Sequence, residues 1–370
     1  MTSLMVYDLS GVDVFFLAKE LTSLEGSKVD KIVQLDKKMF LFRFFQDKKK
    51  QNVRILVPEI INITEQKYDS PLLPLGFCSF LRKYLQNTRL KKVHQINFER
   101  IILLEFESAK NGELVMILEF FKPGNMILCK KEGDKLTILN SLQRQVFKDR
   151  TIEARQEYVF PPKQNNPSNM TLEYLSEVIN KSDKILAKTL AIDFSLGGLY
   201  AEEIIFRSEL NKECTKISAD EKIKLLDAFD SFFSQKVNCG KFKGKIFPTT
   251  MLSFSIDESF ESFSQGLDSI FLETVVEEQK TSVAKQKKSK TASLLEIQTK
   301  RIRDIEKEID EAQKTGEFMY EHYSEFQTLI SKIKELREKN ESFDEIESIL
   351  NKNKHFKKLD KAKKIVHMKF

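Results

Sequence analysis

The chain has 370 residues, a length typical of two or three domains. Hydrophobic residues make up 41% and charged residues 31%, with a net charge of +6. This composition supplies apolar side chains for real cores, and its charge permits a nucleic-acid partner without requiring one. No apolar run reaches the ~18 residues of a membrane span, and the start, MTSLMVYDLS, lacks a signal-peptide pattern. Four widely spaced cysteines predict a reduced, intracellular protein without a zinc site or disulfide framework.

Residues 1–165 are predicted to form a β-rich domain, a β-sandwich with two helices. Apolar residues at helical spacing predict a helix over 14–24, and Asp13 is placed to cap its start. A second helix is predicted over 75–90, after a loop marked by Pro71 and Pro74. Turn residues between the strand-like runs favour antiparallel hairpins. The runs are 31–35, 38–45, 52–57, 100–106, 113–121, 125–131 and 135–142.

Residues 171–270 are predicted to form a second, mainly helical domain, after a linker at 160–169. Helical patterning covers 171 to about 235. Within it, the stretch LGGLYAEEIIFRSEL (196–210) predicts a tight turn at Gly197-Gly198 followed by a helix. The chain is therefore expected to combine sheet and helices in an α+β fold.

Residues 275–315 are predicted to be a coiled-coil helix, and 316–370 the start of a helical middle domain. Gly316 interrupts the seam, and Ser342 to Glu345 has the spacing of a capping box. Further helices are predicted over 317–336 and 342–350, and 363–370 resembles a beginning strand. Because a coiled-coil helix needs a partner, we expect a longer protein that continues past Phe370. The seam consists of Leu295, Gln298, Ile302, Ile305, Ile309 and Ala312.

The charged pair Glu99-Arg100 precedes the apolar strand of 101–106. The planar fork of an arginine suits a phosphate, a base edge or a carboxylate. A nearby acid such as Asp13 or Glu99 would orient Arg100. Spacing alone favours a structural salt bridge between the first helix and the sheet over a recognition site.

Two other features match phosphate binding. The Gly197-Gly198 turn places backbone N–H groups at a helix start, although it also suits a structural turn. A basic cluster between residues 81 and 92 can track a phosphate backbone, although such a run is more often a solvated face. No catalytic, metal-ligand or cofactor motif is found. The cluster consists of Arg82, Lys83, Arg89, Lys91 and Lys92.

Several motifs in order resemble the NFACT family of ribosome-associated quality-control proteins, called RqcH in bacteria and NEMF in animals. No one motif is decisive, but together they span essentially the whole chain. They are Asp13, Glu20-Leu21, Gly26 and VDKI (29–32), then FCSFLRKYL (77–85), PGNMILCK (123–130), YVFPP (158–162), LGGLYAEE (196–203) and GEFMY (316–320).

The resemblance assigns roles to named residues. The family carries an Asp-Arg pair opening a strand, which acts with the Asp of the first helix in tRNA-directed function. Arg100 matches this pattern, whereas Glu99 replaces the usual Asp. The resemblance thus implies that Asp13, Glu99 and Arg100 bind tRNA. It also implies a first domain like that of formamidopyrimidine glycosylases, followed by a helix-hairpin-helix domain.

The resemblance implies a cytoplasmic binding factor without catalytic residues of its own. Such a factor binds a large ribosomal subunit carrying peptidyl-tRNA and recruits tRNA, so that the stalled nascent chain gains a C-terminal tail. Family members normally continue into a returning helix and a further C-terminal domain, so the resemblance implies that such parts would follow Phe370.

Two alternatives are considered. A DNA-repair glycosylase of the formamidopyrimidine type is disfavoured by Thr2 in place of its proline nucleophile and by the missing four-cysteine cluster. A fibronectin-binding surface adhesin is disfavoured by the missing signal peptide.

Overall fold

The computed structural model describes residues 7–68, 75–162, 165–360, 363 and 365–369, with backbone alone for 276–294, 296 and 297. Thr2, the predicted loop at Pro71 and Pro74, and residues 163 and 164 of the predicted linker lie outside the described residues. The chain forms two compact units, Met1–Gln279 and Lys280–Phe370.

Helix α1 (Gly11–Leu21) begins three residues before its predicted start. Its N-cap is Ser10, whose hydroxyl accepts from the backbone N–H of Asp13 at 3.1 Å. The Asp13 carboxylate accepts in return from the backbone N–H of Ser10 at 2.8 Å. The prediction that Asp13 is the cap is therefore wrong by three positions, because Asp13 is the second member of a capping box.

The sheet of the first unit contains nine strands among the described residues, in the antiparallel order β4-β3-β2-β1-β5-β6-β7-β8-β9. A single register pair, Lys28 with Arg89, joins β1 to β5. The α+β class is confirmed, and the strands predicted as a β-sandwich are hydrogen-bonded in one continuous sheet. The strands are β1 (Lys28–Asp36), β2 (Met39–Gln46), β3 (Lys49–Leu56), β4 (Ile60–Thr64), β5 (Arg89–Gln95), β6 (Ile101–Ser108), β7 (Gly112–Glu119), β8 (Asn125–Glu132) and β9 (Lys135–Ser141).

Helix α2 (Gly76–Leu85) is shorter than predicted, because the chain leaves it at Leu85 and enters β5. The two halves of the sheet, β1–β4 and β5–β9, contribute to one buried cluster with α1 and α2; Phe42, Leu104 and Leu17 are members. The packing therefore resembles a sandwich although the hydrogen bonding is continuous.

Strand β6 is buried on both faces, which explains its unbroken apolar run. Ile102 and Leu104 belong to the cluster shared with α1, whereas Ile101 and Leu103 belong to a second cluster on the opposite face. Arg100 immediately precedes this strand and is anchored by it.

The remaining part of the first unit is mainly helical. It contains α3 (Leu172–Lys181), α4 (Leu186–Lys188), a π-helical turn (Thr189–Asp193), α5 (Gly198–Ser208) and α6 (Ala219–Phe233). Two small sheets also belong to the first unit. They are the hairpin β10 (Gln145–Val146) with β11 (Thr151–Ile152), and β12 (Cys239–Phe242) with β13 (Lys245–Phe247) and β14 (Glu258–Phe260).

Helix α1 connects the large sheet to the helices. Leu17 packs in the core of the sheet, whereas Val12 and Phe16 join a second cluster with Tyr200 and Phe232 of α5 and α6. One short helix thus contributes to both cores and couples their positions.

Helix α7 (Phe263–Glu321) is continuous and includes the predicted span from Leu295 to Ala312. Ile302 and Ile309 of the seam are exposed, and the helix passes through Gly316. Helix α8 (Tyr323–Glu338) and helix α9 (Phe343–Leu350) follow, and the predicted capping box before α9 is confirmed. No helix in the described part of the chain is both long and apolar enough to span a membrane.

The predicted final strand is confirmed as β16 (Ile365–Met368). It pairs with β15 (Phe356–Asp360), which the sequence patterns did not reveal. The alternation of apolar and polar residues that marks a strand is interrupted in β15 by two adjacent lysines, Lys357 and Lys358.

Candidate nucleic-acid interface

A tight left-handed turn places Glu99-Arg100 against the start of α1. Asn97 and Phe98 have φ of 50° and 57°, which non-glycine residues seldom adopt. A Cβ on Gly11 would lie 2.8 Å from the carbonyl oxygen of Phe98, so this approach requires glycine. The Gln95 amide donates to the carbonyl oxygens of both Gly11 and Glu99 at 2.8 Å. The turn is therefore held rigidly on the helix.

Arg100 pairs with an acid that the sequence reasoning did not select. Its Nη1 donates to Oδ1 of Asp8 at 3.2 Å, and the side chains are 39% and 63% exposed. The expectation that Asp13 orients Arg100 is wrong, because its carboxylate bonds to Ser10 and Tyr200 instead. The expectation for Glu99 stays a prediction. Because both side chains of the Asp8–Arg100 pair are exposed, this pair is not a buried salt bridge between the first helix and the sheet.

Asp13 lies beneath the surface and joins α1 to α5. Its side chain is fully buried. Oδ2 accepts from the Ser10 hydroxyl at 2.7 Å, and Oδ1 accepts from the Tyr200 hydroxyl at 2.5 Å. Burial raises the pKa of Asp13, while Lys245 and these hydrogen bonds oppose the rise. Asp13 thus fixes α5 relative to the start of α1.

A cleft of about 1120 Å³ brings together residues that are distant in sequence. Two predicted site residues, Glu99 and Arg100, line it together with Gly197 of the predicted glycine turn. Asp13 and Gly198 are absent from the lining. The sequence reasoning missed the rest of the wall, which includes Asp8, Phe98, Phe121, Phe147, Asp149, Arg150, Phe160 and Lys245.

Gly197 forms the turn at the start of α5. Its φ of 74° lies in the left-handed region, which favours glycine. The eleven-residue helix begins at the next residue, so its first N–H groups and positive dipole end lie beside the cleft wall. This arrangement favours a negatively charged group.

Lys245 contributes a further positive charge to the cleft. Its Nζ lies 5.6 Å from the ring centroid of Tyr200, above the buried Asp13–Tyr200 hydrogen bond. Within the described residues, no hydrogen bond or ion pair engages this ammonium group. Lys245 is the first residue of β13, and only the fold places it in the same cleft as Arg100.

The basic cluster of residues 82–92 is not part of the cleft. Arg82 donates from Nε to the carbonyl oxygen of Ile32 at 2.7 Å and so ties α2 to β1. Lys91 forms an exposed ion pair with Glu113 at 3.0 Å. The cluster is divided because Arg82 and Lys83 lie on α2, whereas Arg89, Lys91 and Lys92 lie on β5.

Arg150 is a second arginine of the cleft. Its Nη1 pairs with Oε1 of Glu119 at 2.8 Å, and the side chains are only 8% and 0% exposed. A signal for it was present in the sequence, because a buried carboxylate inside the apolar run of 113–121 requires a cation. Among the described residues, no group of His, Cys, Asp or Glu side chains is arranged to hold a metal ion.

Two curated proteins are similar in sequence to this chain. The archaeal Rqc2 homolog aRqcH of Methanocaldococcus jannaschii is 27% identical over 95% of this chain and 55% of its own length. Ribosome quality control complex subunit 2 of Saccharomyces cerevisiae is 29% identical over 59% of this chain and 20% of its own length. The chain therefore spans about half or less of these two curated relatives.

The fold is shared with a solved bacterial structure. The N-terminal part of the fibronectin/fibrinogen-binding protein of Streptococcus suis matches with a TM-score of 0.62 at 22% identity, covering 72% of this chain and 99% of that one. At this identity the likeness concerns the fold alone. A family profile described as NFACT N-terminal and middle domains matches residues 10–367. Because this match covers nearly the whole chain, the protein belongs to the NFACT family.

Proposed function

We propose that this protein is a ribosome quality-control factor whose cleft binds tRNA. The observation that carries the proposal is the meeting of Arg100, Gly197 and Lys245 around one cleft. A guanidinium group, a helix start and an ammonium group are each suited to phosphate. Three such groups from separate parts of the chain favour a polyanion over a structural role for any one of them.

The aromatic wall supports RNA as the polyanion. Phe121, Phe147 and Phe160 line the same cleft as the cations, and all three are partly exposed. Single-stranded RNA is recognised by stacking of unpaired bases on aromatic side chains beside a positively charged path. A tRNA offers such unpaired nucleotides in its loops and at its 3′ end.

The wider role follows from the family and from the names of the relatives. We infer that the protein binds large ribosomal subunits that carry peptidyl-tRNA and recruits a tRNA for C-terminal tailing of the stalled chain. In this role the protein binds and positions its partners, and peptide-bond formation belongs to the ribosome. Co-sedimentation with purified large subunits tests the ribosomal part, and sequencing of co-purified RNA identifies the tRNA.

Arg100→Ala tests the role of the cleft directly. We expect tRNA affinity to fall about tenfold, because a charge-assisted hydrogen bond to phosphate is lost. The free energy of unfolding should change by less than ~0.5 kcal/mol, since the Asp8–Arg100 pair is exposed. Fluorescence anisotropy with labelled tRNA and thermal melting measure the two effects.

Arg144→Ala is the matched control for Arg100→Ala. Arg144 also forms an exposed ion pair, with Glu153 at 3.1 Å, but it does not line the cleft. Unchanged tRNA affinity in Arg100→Ala, or an equal loss in both variants, would contradict the proposed site. Cleavage of a damaged DNA duplex by the wild-type protein would instead favour the glycosylase alternative.

A further inference from the structure

Arg150 is packed more rigidly than Arg100 and lies in the same cleft. It ends the loop between β10 and β11, where its carbonyl oxygen accepts from the backbone N–H of Phe147 at 2.8 Å. Its Cζ lies 4.7 Å from the ring centroid of Phe147, 5.5 Å from that of Tyr158 and 5.7 Å from that of Phe121. Such packing fixes the guanidinium plane before any ligand arrives.

The donors of Arg150 are unevenly used. Nη1 meets three acceptors: Oε1 of Glu119, the hydroxyl of Tyr158 at 3.0 Å and the carbonyl oxygen of Val159 at 3.2 Å. In the described part of the chain, no hydrogen bond reaches Nε or Nη2. These two nitrogens form the edge of the fork that grips a phosphate bidentately.

The ion pair with Glu119 is not arranged for stability alone. An arginine–carboxylate pair is commonly bidentate, but here Oε2 of Glu119 is buried without a hydrogen-bond partner among the described residues. Glu119 therefore orients Arg150 through one nitrogen and leaves the remaining donors free. A pair with only a structural task would gain from engaging both oxygens.

Arg150 and Arg100 are also linked through neighbouring strands. Ile101 is the register partner of Glu119, and the backbone N–H of Phe120 donates to the carbonyl oxygen of Arg100 at 2.8 Å. The pair of β6 and β7 thus holds both arginines at one end of the sheet.

We propose that Arg150 is a further RNA-binding residue, whose Nε and Nη2 bind a phosphate of the same unpaired RNA segment that reaches Arg100. The proposal rests on the proposed function, since it assumes that RNA enters the cleft. It adds a phosphate subsite beside the Phe147 ring, at a residue outside the Glu99-Arg100 pair and the glycine turn.

The test must separate binding from folding, because removing Arg150 alone strands the buried Glu119. The double variant Glu119→Gln/Arg150→Met neutralises both partners and leaves no unpaired buried charge. We expect its affinity for labelled tRNA to be about tenfold below that of wild type. The slope of log affinity against log salt should also fall by about 1. Circular dichroism and melting verify the fold.

Two further variants sharpen the result. Glu119→Gln alone keeps the arginine but removes the charge that orients it, so its tRNA affinity should fall between that of wild type and that of the double variant. Arg155→Met is the matched control, because Arg155 is exposed on the same segment and does not line the cleft; it should bind normally. Wild-type affinity in the folded double variant overturns the inference.

The outcomes also distinguish this inference from the proposed function. If Arg100→Ala weakens tRNA binding and the double variant does not, Arg150 is structural and the proposed function stands. If the wild-type protein shows no salt-dependent binding of tRNA, both are overturned.

Discussion

At the scale of single residues, Asp13 acts through its neighbours. It is buried, and its oxygens are engaged by Ser10 and Tyr200. A tRNA cannot reach this carboxylate without disrupting α1. We therefore expect Asp13 to support tRNA binding by positioning the start of α5 relative to Arg100, whereas Arg100 contacts the RNA itself.

Asp13→Asn tests this role through its pH dependence. Burial raises the folded-state pKa of Asp13 above its ordinary value of about 4. The bound proton therefore contributes stability that is fully present below that value and lost as pH rises through the raised pKa. Urea denaturation of the wild type should show this loss, and Asp13→Asn should not.

Tyr200→Phe is the companion of Asp13→Asn, since it removes the hydrogen bond to Asp13 from the side of α5. Both variants should weaken tRNA binding while leaving its salt dependence unchanged, because neither removes a phosphate contact. A reduced salt slope in Asp13→Asn would indicate a direct contact and contradict the positioning role.

At the scale of elements, the first turns of α7 are bound to helix α1 and to the large sheet. Glu20 accepts from the backbone N–H groups of Phe263 and Ser264 at 3.0 and 3.3 Å and thereby caps the helix. Arg54 of β3 pairs with Asp268 at 2.6 Å, and its Cζ lies 3.7 Å from the ring centroid of Phe271. The base of α7 is thus part of the core.

Arg54→Met should destabilise the first unit strongly. Arg54 has a fully buried side chain, so its loss leaves the largely buried Asp268 unpaired, at ~3–5 kcal/mol. Arg43→Met is the control on the neighbouring strand, where the pair with Asp30 is about one-third exposed; its cost should stay within ~1 kcal/mol. Urea denaturation compares the free energies of unfolding of the two variants. Similar decreases would show that the buried Arg54 pair stabilises the fold no more than the Arg43 pair does.

Substitutions on strand β5 test whether the basic surface outside the cleft binds RNA. Lys91 and Lys92 are exposed at a register shift of this strand. Replacing both with Gln should weaken the binding of all RNAs similarly. The slope of log affinity against log salt should fall by about 2, since each lysine neutralises one phosphate. Lys332→Gln/Lys339→Gln makes the same charge change on the exposed surface of α8 and its C-cap and should leave tRNA affinity unaltered. Affinity independent of salt would exclude phosphate tracking by β5.

At the scale of the whole molecule, each compact unit has its own core. Residues 280–370 bury Leu336, Ile346 and Phe356 together. Ile346→Ala should cost this unit ~2–5 kcal/mol by leaving a cavity, yet tRNA binding should persist because the cleft residues all precede residue 280. Ile204→Ala, in the core below the cleft, is the contrasting variant and should weaken both stability and binding. Fluorescence anisotropy of labelled tRNA, measured at a urea concentration that partly unfolds the variants, compares the tRNA binding of the two variants.

The sequence by itself determined the features that depend on local patterns. The capping box at Ser342–Glu345 and the glycine turn at Gly197 were predictable, because backbone geometry and neighbouring side chains decide them. Tertiary structure alone decided which groups meet. Spacing pointed to Asp13 and Glu99 as partners of Arg100, whereas the fold also brings Arg100 to Asp8, which is 92 residues away. Strand order and helix packing brought Arg150 and Lys245 to the same cleft, because long-range partners are chosen by the packing of buried side chains rather than by spacing along the chain.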